Sequence, residues 1–172
     1  MKVLIVVTMT NNFGKKGSYN SQEIGLARGF AQLGHTAVVY KSVISESEVG
    51  KERLEDNVYI HYIKCKYVGS NGFLPTSYFD TDADLLVQFA DVQLSVPVIF
   101  NWCKKHDVKY LPYVGITWSQ SSNKYIRKLV ETMAKRNFKI YKESGCIAKN
   151  NDAYKELIDL GIRRLSVAPV CL

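Results

Sequence analysis

Short apolar runs and amphipathic segments alternate along the whole chain. The apolar runs are rich in β-branched residues and predict strands at residues 2–7, 36–40, 58–63, 85–89, 110–114, 145–148 and 165–170. Between them, apolar residues recur at helical spacing and predict helices at residues 20–33, 92–105 and 123–139, then a helix that Asn151 caps and that stops at Gly161. Strands that are apolar throughout are typical of a parallel sheet covered on both faces. The pattern therefore predicts an α/β fold.

The first of these units indicates the fold class. Asn20, followed three residues later by Glu23, has the form of a capping box, and Gly34 ends the helix before the next strand. A strand, a glycine-containing loop, a helix and a second strand in quick succession form the first unit of a doubly wound sheet. We therefore predict a Rossmann-like, doubly wound, mostly parallel sheet of about seven strands with helices on both faces, in one domain over residues 1–172.

Other segments predict less regular structure. Residues 42–57 are polar and indicate a loop or an irregular helix, and residues 64–81 indicate a loop that carries several aromatic residues. Pro97 must lie in the first turn of its helix or kink that helix. The apolar face of the helix at residues 123–139 consists of Ile126, Leu129, Val130 and Met133.

Composition and charge narrow the class of protein. Hydrophobic residues make up 47% of the 172 residues, which is near the globular average and excludes disordered and disulfide-scaffold classes. The chain has neither a signal peptide pattern nor an apolar stretch of about 20 residues, so we expect a cytoplasmic protein. The four scattered cysteines are expected to be reduced and unreactive. The net charge of +7 favours phosphate-bearing or anionic partners, among them a membrane face.

The loop after the first strand is the first candidate for chemistry. Gly14 and Gly17 would let the backbone pass close to a ligand, and Lys15 and Lys16 add positive charge near a helix N-terminus, which suits phosphate. The loop matches neither the dinucleotide fingerprint nor the P-loop pattern, which disfavours a classical NAD or ATP site. The alternative is a surface loop without a ligand.

Two further candidates follow the fourth and fifth strands. Gln88, Asp91 and Gln93 offer polar groups that suit sugar hydroxyls, although Asp91 alternatively caps the next helix. The segment at residues 115–122 places Trp118 among hydroxyl and amide groups, a composition that suits a sugar. Alternatively, Trp118 fills core space and the serines cap the following helix.

No catalytic base or metal site can be assembled from the sequence. The three histidines are isolated, and no serine or cysteine nucleophile has a neighbouring base. Asp82 and Asp84 offer ligands for a cation, but a solvated loop explains them better. Without a recognition helix or an aromatic sheet motif, we expect no nucleic-acid partner.

Several segments, taken in order, resemble the N-terminal lobe of glycosyltransferase family 4, the retaining group with the GT-B fold. They are the strand at residues 3–7, Gly14 and Gly17, and the stretch QEIGLARGFAQLGH at residues 22–35. A helix of this kind in that family ends in a Leu-x-x-x-Gly-His turn, whereas the spacing here is Leu-Gly-His. Residues 146–170 resemble the family's approach to its interlobe linker, so the resemblance covers nearly the whole chain.

The resemblance implies a metal-independent enzyme without a cofactor, which transfers a sugar from a nucleotide-sugar donor to a glycan or lipid-linked acceptor with retention. It implies that the donor diphosphate is bound by Gly14, Lys15, Lys16 and Gly17. It implies that the acceptor is bordered by Asn12, Gln88, Asp91, Gln93, Thr117, Trp118 and Ser119. Most donor contacts would lie in a C-terminal lobe, which we expect to be absent here, so this chain alone is expected to be inactive.

Two points bear on this assignment. No histidine follows the fourth or the fifth strand, where many relatives have one, so no catalytic residue is assigned. The hypothesis from another class is a stand-alone flavodoxin-like module that binds a nucleotide or phosphate without transferring sugar. Seven predicted strands are too many for such a five-stranded module.

Overall fold

The computed structural model describes residues 1–10, 21–119 and 121–169. The strands in this part of the chain are β1 (Lys2–Val7), β2 (Thr36–Val43), β3 (Gly50–Glu55), β4 (Val58–Lys64), β5 (Lys66–Val68), β6 (Asn71–Phe73), β7 (Leu85–Phe89), β8 (Lys109–Val114), β9 (Cys146–Ala148) and β10 (Leu165–Val167). The α-helices are α1 (Gln22–Gln32), α2 (Val96–Lys105), α3 (Lys124–Ser144) and α4 (Asn151–Asp159).

Eight of the strands form one sheet, in the order β10-β9-β8-β7-β1-β2-β4-β3. Every neighbouring pair is parallel except β3 and β4. The prediction of a mostly parallel sheet is therefore confirmed, and each of the seven predicted runs overlaps one of the seven parallel strands. The predicted number was wrong by one, because β3 adds an eighth strand at the edge.

The prediction of a loop or irregular helix at residues 42–57 was wrong where β3 lies. Half-buried and exposed residues alternate along β3, which is the period of a strand with one solvated face. Its sequence, GKERLE, is mostly charged because an antiparallel edge strand needs no apolar residues on its outer face and is protected from further pairing by charge. The predicted loop at residues 64–81 likewise contains the hairpin of β5 and β6.

Two hydrophobic cores lie on opposite faces of the sheet, because side chains alternate along each strand. In β1, Leu4 and Val6 enter the core that α2, α3 and α4 cover. Val3, Ile5 and Val7 enter the other core, to which α1 contributes Ala27 as a buried residue and Leu26, Phe30 and Ala31 as partly buried ones. Helices thus cover both faces of the sheet.

The helix boundaries correct several details. The predicted capping box stays a prediction, because Asn20 lies outside the described residues; the Glu23 carboxylate accepts from Lys41 Nζ. Pro97 lies in the first turn of α2, which resolves the alternative left by the sequence. The N-cap of α4 is Asn150, one residue earlier than predicted. Asn123 caps α3, where its Oδ1 accepts from Tyr125 N and Ile126 N.

Cys65, Cys103 and Cys146 are free and buried. Burial raises the pKa of both the Cys103 and Cys146 thiols to about 12, so these groups stay protonated. The free thiols of these three agree with the expected reduced state, whereas their lack of reactivity stays a prediction, and Cys171 lies outside the described residues.

The β5–β6 hairpin packs on the chain that leaves β1. Gly72 N donates to Thr8 O at 2.6 Å, and Thr10 N donates to Ser70 O at 3.1 Å. A Cβ atom added to Gly72 would lie 2.6 Å from Thr8 O and 2.9 Å from Cys65 Sγ, which is closer than real contacts allow. Only glycine therefore lets the hairpin approach β1 this closely.

We expect Gly72→Ala to lower the free energy of unfolding by about 1–3 kcal/mol, because the backbone oxygen of Thr8 cannot move away without breaking the hairpin contact. Urea denaturation followed by circular dichroism measures the change. Gly50→Ala is the matched control, since nothing lies within 4 Å of a Cβ at that position. Equal stability of the two variants would contradict the close approach.

Candidate functional site

The carboxyl ends of β1, β7, β8 and β9 lie along one edge of the sheet, because these strands are parallel neighbours. From β1 the chain continues to β2 on one side, whereas β7, β8, β9 and β10 follow one another on the other side. The chain order thus reverses between β1 and β7. Open parallel sheets bind ligands in the crevice at such a reversal, at the carboxyl ends of the strands.

An open cleft of about 510 Å³ lies at this edge, within the usual size range of ligand sites. Its walls are the β5–β6 hairpin, the loops that follow β7 and β8, and the first half of α3. Most of its lining is apolar and consists of Met9, Val68, Val92, Leu94, Ile116, Trp118, Ile126, Leu129, Val130 and Met133. We call it the apolar cleft.

A second cleft of about 300 Å³ lies between the loop after β8 and the start of α4. Its lining carries the polar groups of Thr117, Ser119, Asn150, Asp152 and Glu156. We call it the polar cleft. Trp118 lines both clefts and packs edge-on against Phe138, with the ring centroids 5.2 Å apart.

An ion pair between Asp91 and Lys149 holds this edge together. Asp91 follows β7 and Lys149 follows β9, and their side chains are only 11% and 10% exposed. The Asp91 carboxylate also accepts from the backbone N–H of Gly115 and, at 3.0 Å, from that of Ile116. One carboxylate therefore joins the ends of β7, β8 and β9, and it does not cap α2, the alternative that the sequence left open.

The surroundings of Lys149 explain why it can be buried. Its Nζ lies 4.6 Å from the centroid of the Phe89 ring and 5.2 Å from that of Tyr113, so the ammonium faces two aromatic rings as well as Asp91. A Cβ atom on Gly115 would lie 2.8 Å from Lys149 Cδ, so a side chain at position 115 would displace the lysine. The glycine at the end of β8 is required by this close approach.

Gln88 lies below the clefts inside the protein, whereas Gln93 is a buried lining residue of the apolar cleft. Gln88 is fully buried, accepts from Tyr110 OH at 2.7 Å and donates to Ser95 Oγ at 3.1 Å. Gln93 is 2% exposed, accepts from Thr8 Oγ1 at 3.1 Å and donates to Asp91 O at 3.0 Å. Both amides are thus occupied by internal hydrogen bonds.

Further buried hydrogen bonds tie α3 to the loop after β7. Tyr141 OH donates to Ala90 O at 3.0 Å, and Asn137 Nδ2 donates to Gln93 O at 2.8 Å. Burial raises the pKa of both Tyr141 and Tyr110 well above the ordinary value, so both hydroxyls remain protonated and serve as donors. These hydrogen bonds hold α3 against the loop that follows β7.

The three predicted acceptor residues of the loop after β8 differ in their exposure at the clefts. Thr117 is 3% exposed, and its hydroxyl donates to the carboxylate of Glu156. Trp118 and Ser119 are half-buried and line both clefts. Ser119 Oγ accepts from Ser121 N at 3.3 Å. Of the predicted acceptor residues, Asp91, Gln93, Thr117, Trp118 and Ser119 come together at this edge, whereas Gln88 lines neither cleft.

The remaining predicted residues lie outside the described part of the chain. These are Asn12 and the four expected to bind the donor diphosphate, Gly14, Lys15, Lys16 and Gly17. Their placement stays a prediction. The described residues on either side are Thr10, after the end of β1, and Ser21, before the start of α1.

Sequence reasoning missed Lys149 and Glu156. Lys149 directly follows a predicted strand. Because the carboxyl ends of parallel strands share one edge of the sheet, this position indicates that Lys149 lies at the same edge as Asp91. Glu156 gave no such indication, because a glutamate on an exposed helix face is common. The polar residues of the β5–β6 hairpin were missed because the hairpin itself was taken for a loop.

Acidic and histidine residues elsewhere have structural roles. Asp82 accepts from Lys2 Nζ at 2.8 Å, and Asp84 accepts from Lys2 N at 2.7 Å, so the pair anchors the first strand. Burial lowers the pKa of His61, which lines a separate small cavity of about 170 Å³. In the described residues no group of three or more acidic, histidine or cysteine side chains is arranged to hold a metal ion.

Comparison with known proteins gives no assignment. No protein-family model matches the chain, and no curated protein does. Among the helices of residues 1–10, 21–119 and 121–169, none is both long enough and apolar enough to span a bilayer. The function must therefore be argued from the geometry of the site.

Proposed function

We propose that this chain is the acceptor-binding N-terminal lobe of a retaining, metal-independent glycosyltransferase with the GT-B fold. The observation that carries the proposal is the pair of clefts at the carboxyl edge, beside the reversal between β1 and β7. Counting only parallel strands, the spatial order is third, second, first, fourth, fifth, sixth and seventh, which is the order of a Rossmann-like sheet extended by one strand. The sequence resemblance to glycosyltransferase family 4 supports the same assignment.

The polar cleft offers chemistry suited to a sugar. Carboxylate oxygens of Asp152 and Glu156 line this cleft, and such oxygens accept hydrogen bonds from sugar hydroxyl groups. The indole of Trp118 presents an apolar surface for a sugar ring at the wall between the clefts. The apolar cleft beside it suits the hydrocarbon part of a lipid-linked acceptor.

Donor binding would involve parts of the enzyme beyond these clefts. In this proposal the loop with Gly14 and Gly17 contacts the diphosphate of the nucleotide-sugar, and a C-terminal lobe supplies most of the other donor contacts. The reacting centre would then form only where both lobes meet, so residues 1–172 alone would have no transferase activity.

Calorimetry with a panel of UDP- and GDP-sugars tests this proposal. We expect residues 1–172 to bind no donor tightly, whereas a form extended through any further reading frame binds a donor and transfers sugar. In the extended form, Trp118→Ala should weaken acceptor binding about tenfold, equivalent to about 1.4 kcal/mol. Tyr78→Ala is the matched control, since this exposed aromatic lies outside both clefts.

Tight nucleotide binding by residues 1–172 alone would contradict the proposal. That result would instead favour a stand-alone flavodoxin-like module that binds a nucleotide or phosphate without transferring sugar. Loss of acceptor binding in Tyr78→Ala to the same degree as in Trp118→Ala would count against the polar cleft as the acceptor site.

A further inference from the structure

Exposed apolar side chains are concentrated on both rims of the apolar cleft. On the hairpin, Tyr67 and Val68 are 50% and 66% exposed. On α3, Tyr125, Ile126 and Leu129 are 75%, 51% and 62% exposed. We call β5 (Lys66–Val68) and residues 124–129 together the rim surface. Isolated exposed apolar residues are ordinary, but five large ones around one opening mark an interaction surface.

The helical part of the rim surface belongs to the predicted apolar face of its helix. Ile126, Leu129, Val130 and Met133 share this face, as predicted, and all four line the apolar cleft. The buried face of α3 instead begins at Ala134 and continues through Phe138 and Tyr141. The first turns of α3 thus present apolar residues that the core does not use.

The rim surface is strongly basic. Its nine residues include Lys66, Lys124, Arg127 and Lys128 and no carboxylate. Two of these cations, Lys124 and Arg127, lie in the first turn of α3, where the partial positive charge of the helix end disfavours them. Helix stability therefore does not account for their position. Within the described residues, neither Lys124 nor Lys128 forms an ion pair, and Lys124 Nζ lies 5.1 Å from the Tyr125 ring centroid.

Both rims have the same local chemistry. The order is lysine, tyrosine and an aliphatic residue in Lys66-Tyr67-Val68 and again in Lys124-Tyr125-Ile126. At a lipid surface, ammonium groups pair with anionic headgroups, tyrosines occupy the interfacial layer and aliphatic side chains enter the acyl region. Protein interfaces have the opposite tendency for lysine, which is depleted at their cores.

We propose that the rim surface docks on an anionic phospholipid bilayer. Charge complementarity selects anionic over neutral lipid, and the half-exposed aliphatic residues supply the apolar contact that a purely electrostatic attachment lacks. Docking in this way places the opening of the apolar cleft against the membrane. The proposal goes beyond the transferase assignment and does not depend on it.

Sedimentation with vesicles tests the docking using residues 1–172 and no sugar nucleotide. We expect co-sedimentation with vesicles in which a third of the phosphatidylcholine is replaced by phosphatidylglycerol, and none with phosphatidylcholine alone. Binding should weaken in about 1 M salt, where the screening length is about 3 Å. The double variant K124Q/K128Q should bind about 30-fold more weakly, because each basic side chain near an anionic bilayer contributes about a fivefold change.

Matched variants separate the surface from the overall charge and from folding. K51Q/K109Q removes the same charge from exposed lysines outside the rim surface and should bind like the wild type. Leu129→Ser should weaken binding at least about tenfold, whereas Val98→Ser, at a residue 55% exposed on α2, should not. Equal circular dichroism spectra of all variants verify the fold.

Three results would overturn the proposal. The first is no sedimentation of the wild type with anionic vesicles. The second is the same loss in K51Q/K109Q as in K124Q/K128Q. The third is the absence of vesicle binding together with a dimer that analytical ultracentrifugation detects and that Leu129→Ser dissociates. A second copy of the chain would then cover this surface.

Discussion

Replacing Asp91 with alanine is expected to lower the free energy of unfolding by about 3–5 kcal/mol, the usual cost of leaving one partner of a buried ion pair alone. The ammonium of Lys149 would remain 10% exposed without its carboxylate, and the backbone N–H groups of Gly115 and Ile116 would lose their acceptor. Urea denaturation measures the loss. Asp159→Ala removes an exposed carboxylate from the end of α4 and should change stability by no more than about 0.5 kcal/mol.

A double-mutant cycle distinguishes the ion pair from the backbone contacts. Asp91→Asn keeps an acceptor near the two N–H groups but removes the charge, and Lys149→Met removes the ammonium alone. If the pair is coupled as the structure indicates, the double variant should cost clearly less than the sum of the single variants. Additive costs, or a loss in Asp91→Ala no larger than that in Asp159→Ala, would contradict the role assigned to Asp91.

Replacing either Glu23 or Lys41 is expected to have a similarly large effect. The Lys41 Nζ and Glu23 Oε1 atoms are 2.5 Å apart, and the two side chains are 5% and 2% exposed. Because the pair joins the first turn of α1 to β2, we expect Glu23→Gln or Lys41→Met to cost about 3–5 kcal/mol of unfolding free energy. Thermal and urea denaturation of each variant measure this loss.

An exposed ion pair on the same helix provides the control for this prediction. Arg28 on α1 pairs with Glu55 on β3 at 2.6 Å, but their side chains are 53% and 47% exposed. Because solvent screens such a pair, Arg28→Ala should cost less than about 1 kcal/mol. A loss in Glu23→Gln as small as that in Arg28→Ala would show that burial does not make the Glu23–Lys41 pair critical.

The sequence was most informative about buried parallel strands. Such strands are continuous apolar runs, so the positions of all seven could be predicted, and their alternation with helices indicated a mostly parallel sheet. The edge strand β3 was missed because its residues are charged and only their alternation indicates a strand. The β5–β6 hairpin was missed because three-residue strands around a glycine turn give no periodicity to detect.

The candidate site was predictable in place but not in detail. Polar residues that follow parallel strands come to one edge of the sheet by topology alone. For this reason Asp91, after β7, and Trp118, after β8, line the same cleft. Whether such a residue faces a cleft depends on the packing of its neighbours. Gln88 and Gln93 turn inward because Tyr110, Thr8 and Ser95 offer them buried partners, and these contacts join residues far apart in the sequence.

The mode of attachment at Asp91 has a consequence for how this edge can diversify. The carboxylate holds the loop after β8 through main-chain N–H groups at positions 115 and 116, and every amino acid except proline provides such a group. Side chains at residues 116, 118 and 119 face the clefts and take no part in that attachment. Their exchange alters what the clefts contact while the attachment to Asp91 is retained. Anchoring and selectivity are thus assigned to different atoms of the same short segment, so selectivity can change without loss of the scaffold.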